Sequence, residues 1–306
     1  SLSGSADSTA VALLCGTMVQ FGTRELGVAA FRDKIAYLQN AEHVDSVDAL
    51  IGELLTCVYQ STRNSSDTTR SAARSVAASI GATFIEWDVD ALVQDYIQLI
   101  SGALRRDLTW DKDDLALQNI QARVRGPGVW MLANLQGALL LATSNRSEAA
   151  VGYATMDGDT CGGLSPIAGI DKAFLRHWLQ WMETTGPADL GALPSLSAVT
   201  NQQPTAELRP LAAHQTDEAD LMPYEVLDAI ERAAIRDKHS PAEAWRLLQV
   251  HFPNYTPHQL GKWTDRFYRL WCRNQWKRER YAPSFHLDDE NLDPKTWCRF
   301  PILSGG

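Results

Sequence analysis

Two compact runs rich in β-branched and aromatic residues, LLTCVYQ (54–60) and ATFIEW (82–87), flank a polar, alanine-rich stretch of helical period. Strands alternating with helices in this way build βαβ units, and a parallel sheet needs helices to cover its faces. The intervening helix has its own punctuation: Ser65 or Ser66 as N-cap and Gly81 as stop. Earlier, TAVALLCGTMVQFG (9–22) carries a largely apolar helix pattern that ends near Gly22. Later, LALQNIQARVRGPGVWMLANLQG (115–137) reads as a helix interrupted at Gly126-Pro127-Gly128, and ALLLATS (138–144) as a fully apolar strand. The predicted fold class is therefore α/β, a parallel sheet with flanking helices. Beyond about residue 185 the chain turns loop-rich, and from Tyr224 to about Arg280 it becomes helical and aromatic. The boundaries expected are an α/β core over 1–215 and a C-terminal helical extension over 216–306.

Composition narrows the function classes. A formal charge of -9 argues against a surface made for nucleic acid, while leaving room for a local basic pocket. The cluster Arg266, Arg269, Arg273, Lys277, Arg278 and Arg280 is interleaved with Trp263, Phe267, Tyr268, Trp271 and Trp276 at helical spacing, which predicts core aromatics rather than a nucleic-acid patch. Five cysteines (Cys15, Cys57, Cys161, Cys272, Cys298) form neither a CxxC pair nor a metal-ligand spacing, the pattern of a reducing compartment, so a cytoplasmic protein is expected. No apolar run reaches membrane-spanning length, and no signal peptide precedes the first motif. His286, Asp288 and Asp289 lack ligand spacing and are read as a solvated acidic tail.

The chemistry concentrates in short polar loops. SGSADS (3–8) stands directly before the first apolar helix. Small residues there let backbone N–H groups approach an anion, the helix N-terminus adds partial positive charge, and the hydroxyls of Ser3, Ser5 and Ser8 are further donors. Asp7 repels a phosphate unless Mg²⁺ stands between them. The loop lacks the GK[ST] ending of a Walker P-loop. Read alone, it is either such a phosphate loop or a Ser-capped helix start. Elsewhere the local readings are equally open: Glu148 completes a capping box with Asn145, Lys172 is a solvated helix residue, and Thr205 is an N-cap before AEL. Arg123 and Arg125 lie two positions apart on a helix, so only one faces a given site.

The blocks NIQARVR (119–125), LLLATSNRSEAAVGYAT (139–155), GLSPIAGIDKAFLR (163–176), QPTAELRP (203–210), QTDEADLMPYEVLD (215–228) and QWKRERYAP (275–283) follow SGSADS in that order. Together they resemble the synthetase domain of NAD synthetases, in the version found in glutamine-dependent enzymes, and SGSADS resembles the SGGxDS loop of ATP pyrophosphatases. The resemblance implies an adenine nucleotide alpha hydrolase-like, Rossmann-like fold. It also implies an AMP-forming ligase that amidates deamido-NAD (nicotinic acid adenine dinucleotide) through an adenylated carboxylate. Ser3, Gly4, Ser5, Asp7 and Ser8 would hold the ATP phosphates, with Thr143, Lys172 and Thr205 as further ATP contacts. Asp7 and Glu148 would hold Mg²⁺, and Asp7, Glu148 and Lys172 would carry catalysis. Asn119, Arg123, Glu148 and Lys277 would contact deamido-NAD.

The partners implied are ATP, deamido-NAD, ammonia and a glutamine-hydrolysing amidase domain of the same polypeptide, which precedes this region in such relatives and is expected ahead of Ser1. A homo-oligomer is expected, with no nucleic acid and no membrane. The chain departs from the family pattern at Ser5, where a second Gly is common, and at Met156, Asp157, Gly163 and Trp276 on the dinucleotide side. Two other readings stay open at this point: another adenylating ligase of the ATP pyrophosphatase group, and a non-catalytic nucleotide-binding module.

Overall fold

The computed structural model describes residues 1–37, 44–203, 205, 207–210, 216–299 and 301. Contacts divide the chain into two compact units, one of Ser1–Arg125 with Arg176–His214 and the other of Gly126–Leu175 with Gln215–Gly306. The division groups 126–175 with the C-terminal segment.

In the first unit, Leu2 is buried and its N–H donates to the Val58 carbonyl at 2.8 Å. Helix α1 (Ala6–Leu26) starts from Ser5 and stops at Gly27 (φ 82). It runs straight through Gly22, where the sequence pattern predicts its end. Gly22 is instead a packing gap: a Cβ there would collide with the ring of Phe31 on α2 (Val28–Lys34). Val19, Phe31 and Ile35 close a small core with Leu50 and Ile51 of α3 (Val47–Leu54). Strand β1 (Thr56–Ser61) leads into α4 (Asp67–Ile80) and then β2 (Thr83–Asp88). β1 and β2 pair in parallel, Thr56 opposite Thr83 through Ser61 opposite Asp88.

The expected punctuation of α4 holds. Ser66 Oγ accepts from the Thr69 N–H at 3.2 Å, and Gly81 adopts φ 76 to end the helix. Its buried stripe of Ala72, Ala73, Val76, Ala77 and Ile80 is mostly small, which permits close packing. Helix α5 (Asp90–Leu104) follows, with Val89 and Val93 packed on Val124 of α6 (Trp110–Gln136). α6 continues through Pro127, where the sequence predicted an interruption; its non-helical backbone lies at Asp113 (φ −122, ψ 19). Gly126, beside Pro127, is needed for close packing. A Cβ on it would lie 3.1 Å from the Asp157 carbonyl oxygen.

In the second unit, the apolar run 138–144 is not the full strand expected. Among the described residues it makes one parallel bridge, Leu141 to Leu164, flanked by Ala142 N–H to Leu164 O and Gly163 N–H to Leu140 O, both 2.8 Å. Then come α7 (Arg146–Val151) and α8 (Lys172–Thr184), the latter continuing into the first unit, which also holds the short α9 (Ser197–Thr200). The C-terminal part is helical as predicted: α10 (Asp217–Asp220), α11 (Tyr224–Glu231), α12 (Pro241–His251), α13 (Pro257–Arg273) and α14 (Gln275–Arg278). α12 and α13 each start with proline in the first turn and a complete capping box, Ser240 with Glu243 and Thr256 with Gln259.

Tyr224, Leu227, Ile230, Leu260, Phe267 and Trp271 form the core of this unit, with Trp263 and Tyr268 packed against it. Trp276 departs from that expectation: it lies on α14, beyond the end of α13 at Asn274, and is 49% exposed. His286, Asp288 and Asp289 are exposed, as a solvated acidic stretch should be, but ion pairs anchor the segment. Arg146, 3% exposed, donates to Asp288 at 3.3 Å and to the buried Glu290 at 2.8 Å, and Arg232 and Arg236 reach Glu290 from its other side, both at 2.8 Å.

Candidate functional site

The first unit holds the Ser/Gly loop. Gly4 takes φ 78, and a Cβ there would run into the Thr69 carbonyl oxygen in the first turn of α4, so the loop and α4 require glycine at this point. Ser5, where the family pattern has a second glycine, takes φ −88 and needs no such freedom. The three hydroxyls gather at the start of α1: Ser3 Oγ lies 3.0 Å from Ser5 Oγ and 3.1 Å from Ser8 Oγ, and the Ser3 N–H donates to Ser8 Oγ at 3.1 Å. Asp7 is buried in the first turn of α1.

Thr205 belongs to the same neighbourhood through a residue the sequence reading missed. Thr205 Oγ1 accepts from the Glu207 N–H at 3.3 Å. The Glu207 carboxylate accepts from Ser66 Oγ at 2.7 Å and from Thr69 Oγ1 at 2.9 Å, against the first turn of α4. The signal was faint: a helix start rich in hydroxyls favours a carboxylate nearby, but nothing local says which one. Pro204, Ala206 and Gln215, also in the resembling blocks, lie outside the described residues.

Asn119 and Arg123 line a cleft of about 630 Å³ in the first unit with Tyr96, Ile97, Ile100 and Leu108, a volume suited to a small-molecule ligand. Arg123 is exposed, while Arg125 turns away, its Nε donating to the Gln60 carbonyl at 3.2 Å. The two-residue spacing on the helix predicted that separation.

The second unit holds Glu148, Lys172, Thr143 and Lys277. Asn145 caps α7 by accepting from the Glu148 N–H at 2.9 Å. The Glu148 carboxylate pairs instead with the Lys172 ammonium at 3.0 Å and receives the Tyr224 hydroxyl at 3.4 Å. Tyr224 Oη also donates to Asp217 at 3.2 Å. Lys172 is therefore no solvated lysine: its side chain is 2% exposed and its ammonium lies 5.5 Å from the centre of the Tyr224 ring. Burial, with Asp217 and Asp220, holds the neighbouring Tyr153 phenol protonated. Thr143 is half-buried, two residues past the Leu141 bridge.

Lys277 donates to the Gly152 and Ala154 carbonyls, both at 2.7 Å. With Asn274 Nδ2 on the Val151 carbonyl at 2.7 Å and Arg278 on the Ala150 carbonyl at 2.9 Å, it closes the C-terminal end of α7. The family departures nearby have local reasons. Asp157 sits at φ 63 and pairs with Arg280 at 3.1 Å, Met156 is buried, and a Cβ on Gly163 would crowd Leu139 at 2.8 Å.

These observations define an α/β protein of Rossmann-like class, with a Ser/Gly loop at the start of α1 in one unit and a buried lysine paired with a glutamate in the other. The family model described as NAD synthase matches residues 1–266, so the chain belongs to the NAD synthase family. Among curated relatives, it is 31% identical over 273 residues to a glutamine-dependent NAD(+) synthetase of Mus musculus, covering 83% of this chain and 37% of that protein. It is 30% identical to the Homo sapiens counterpart, covering 99% of this chain and 45% of that one. A crystal structure of a glutamine-dependent NAD(+) synthetase from Cytophaga hutchinsonii superposes with a TM-score of 0.84 at 45% identity, covering 99% of this chain and 50% of that chain. NMN synthetase from Francisella tularensis, at 15% identity, TM-score 0.54 and coverage of 88% and 84%, shares the fold. The chain thus spans half or less of the length of the glutamine-dependent relatives it matches.

Proposed function

We propose that this chain carries the synthetase activity of an NAD synthetase: ATP-dependent amidation of deamido-NAD to NAD, with release of AMP and pyrophosphate. The observation that carries the reading is the Ser3–Ser8 loop, whose Gly4 turn and three clustered hydroxyls stand at the start of a buried helix in a chain of this family. In the first step a nicotinate carboxylate oxygen of deamido-NAD attacks the α-phosphorus of ATP, and the bond from that phosphorus to the bridging oxygen breaks as pyrophosphate leaves. In the second step ammonia attacks the acyl carbon, AMP departs with the bonding electrons, and the nitrogen loses a proton to become the amide.

The residues supply charge and position rather than a nucleophile. Ser3, Gly4, Ser5 and Ser8 would cradle the phosphates, and Lys172 would stabilise the negative charge growing on the leaving pyrophosphate. Thr143 and Thr205 would contact ATP. Asn119 and Arg123 would bind deamido-NAD beside their cleft, with Glu148 and Lys277 as its further contacts. Among the described residues no group of three or more His, Cys, Asp or Glu side chains gathers into a metal cage. Asp7 and Glu148 would hold Mg²⁺, an ion commonly held by one or two carboxylates together with substrate phosphates. When bound, the ion supplies Lewis-acid neutralisation of the phosphate charge.

The nitrogen would come from glutamine through an amidase domain, as the names of the relatives suggest, and the protein would act as a homo-oligomer in the cytoplasm. The test is direct. With ATP, Mg²⁺, deamido-NAD and ammonium, the protein should form AMP and NAD in equal amounts, and Asp7→Asn should lose on the order of 10²-fold or more of that rate. ADP as product, or no product from deamido-NAD, would rule the reading out; full activity in Asp7→Asn would remove Asp7 from the site.

A further inference from the structure

Behind the Lys172–Glu148 pair lies a second carboxylate, the last residue of the block QTDEADLMPYEVLD, to which neither the sequence reading nor the proposed chemistry gives a role. Asp228, on α11, is buried. Its Oδ1 receives the hydroxyl of Ser147, and its Oδ2 accepts from the Ala173 N–H at 3.1 Å. The same Ser147 oxygen accepts from the Lys172 N–H at 2.8 Å. Lys172 is therefore gripped at both ends by consecutive residues of α7: its backbone by Ser147 and its ammonium by Glu148 at 3.0 Å. Ser147 has one proton, and Asp228 takes it. That leaves the Ser147 lone pairs directed at the Lys172 N–H and fixes which way the hydroxyl points. By accepting from Ala173 as well, Asp228 ties α7 to the first turn of α8, where a carboxylate is favoured. Asp228 touches neither Glu148 nor the Lys172 ammonium in any of these contacts; it sets the register between the helices that carry them.

We propose that Asp228 is a positioning residue for the Lys172–Glu148 pair, acting through Ser147 and the first turn of α8. The proposal rests on the NAD synthetase reading for its consequence in turnover, but the alignment of the pair can be read without any substrate. The two donors reach different oxygens of Asp228 and an amide has only one, so Asp228→Asn loosens the link, and Ser147→Ala removes its middle member.

Brief labelling of the intact protein with acetic anhydride, followed by mass spectrometry, reads the accessibility of the Lys172 amine. Both variants should label Lys172 about tenfold faster than the parent, the population change expected when a hydrogen bond to a charged group is lost. The exposed Lys262 on α13 should keep its rate. In the amidation assay both variants should lose on the order of 10²-fold in kcat with the KM for ATP within about threefold, a split that general destabilisation does not produce. If Asp228→Asn does not fold, Ser147→Ala carries both measurements. Unchanged Lys172 labelling overturns the proposal whatever the assay shows. Unchanged kcat in the variants of an active parent overturns it and leaves the NAD synthetase reading intact. If the parent forms no NAD, that reading fails, and the labelling alone decides whether Asp228 sets the pair.

Discussion

At Gly4 the backbone and the neighbouring helix make the same demand. A side chain there would need φ near 78 and would press on the Thr69 carbonyl oxygen, so the position is fixed twice over. Gly4→Ala should destabilise the protein by at least roughly 1–2 kcal/mol for the left-handed backbone alone. It should also weaken ATP binding, because the loop must move away from α4 to relieve the contact. Thermal unfolding with and without ATP checks both: a lowered midpoint together with a smaller ATP-induced rise is expected, and an unchanged rise would mean that the loop does not hold the nucleotide. Ser5 shows the converse. Its φ of −88 suits any residue, so replacing the family's second glycine costs the backbone nothing and adds a hydroxyl to the cluster.

Among the elements, α4 was the most legible in the sequence, and for a physical reason: its cap and its stop are local. Ser66 finds its partner three residues on, and Gly81 acts through its own φ. What the sequence could not announce was the Glu207 carboxylate on that same first turn, 141 residues away from Ser66. Glu207→Ala should lower the unfolding free energy by about 1 kcal/mol, the usual worth of a cap interaction, seen as a lower urea midpoint. An unchanged midpoint would show that the carboxylate contributes nothing there. The same contrast explains Lys172. Its burial depends on Glu148 and on the ring of Tyr224, itself 76 residues from Glu148, and no window around GIDK contains either. Gly22 misled because a glycine inside a helix and a glycine ending one look alike until the ring of Phe31 is in place. The apolar run 138–144 misled because it has a strand's composition but, among the described residues, makes a single bridge, Leu141 to Leu164.

For the whole molecule, the buried charges of the second unit set how stability responds to pH. Arg146 has Asp171, Glu231, Asp288 and Glu290 around it; burial works against its charge, and the carboxylates more than compensate. Burial, then Asp171, pushes the Asp228 carboxyl up to about 7 from an ordinary value of 3.8, and burial holds Glu231 well above the carboxylate range against the pull of Arg146. A carboxyl raised in the folded state takes up its proton there first. Its ionisation penalty is absent below about pH 4, grows as pH rises, and is complete above about pH 7. The unfolding free energy should therefore fall between these limits through Asp228, by up to a few kcal/mol, with Glu231 acting in the same direction. Urea unfolding at several pH values from 5 to 8 measures the slope, and Asp228→Asn should be flatter than the parent. Parallel slopes would mean that Asp228 ionises as it does in the unfolded chain.

The short helix α7 has a place in time as well as in space. Six residues cannot sustain a helix in water, since nucleation alone outweighs what so few turns return. The carbonyls at its end are held by Asn274, Lys277 and Arg278, partners 123 to 128 residues further along the chain. During synthesis at about 5–20 residues per second, Glu148 leaves the ribosome on the order of ten seconds before those side chains arrive. Translation halted between α13 and α14 would yield a chain that already has its Ser/Gly loop but lacks the hold on the helix that presents Glu148.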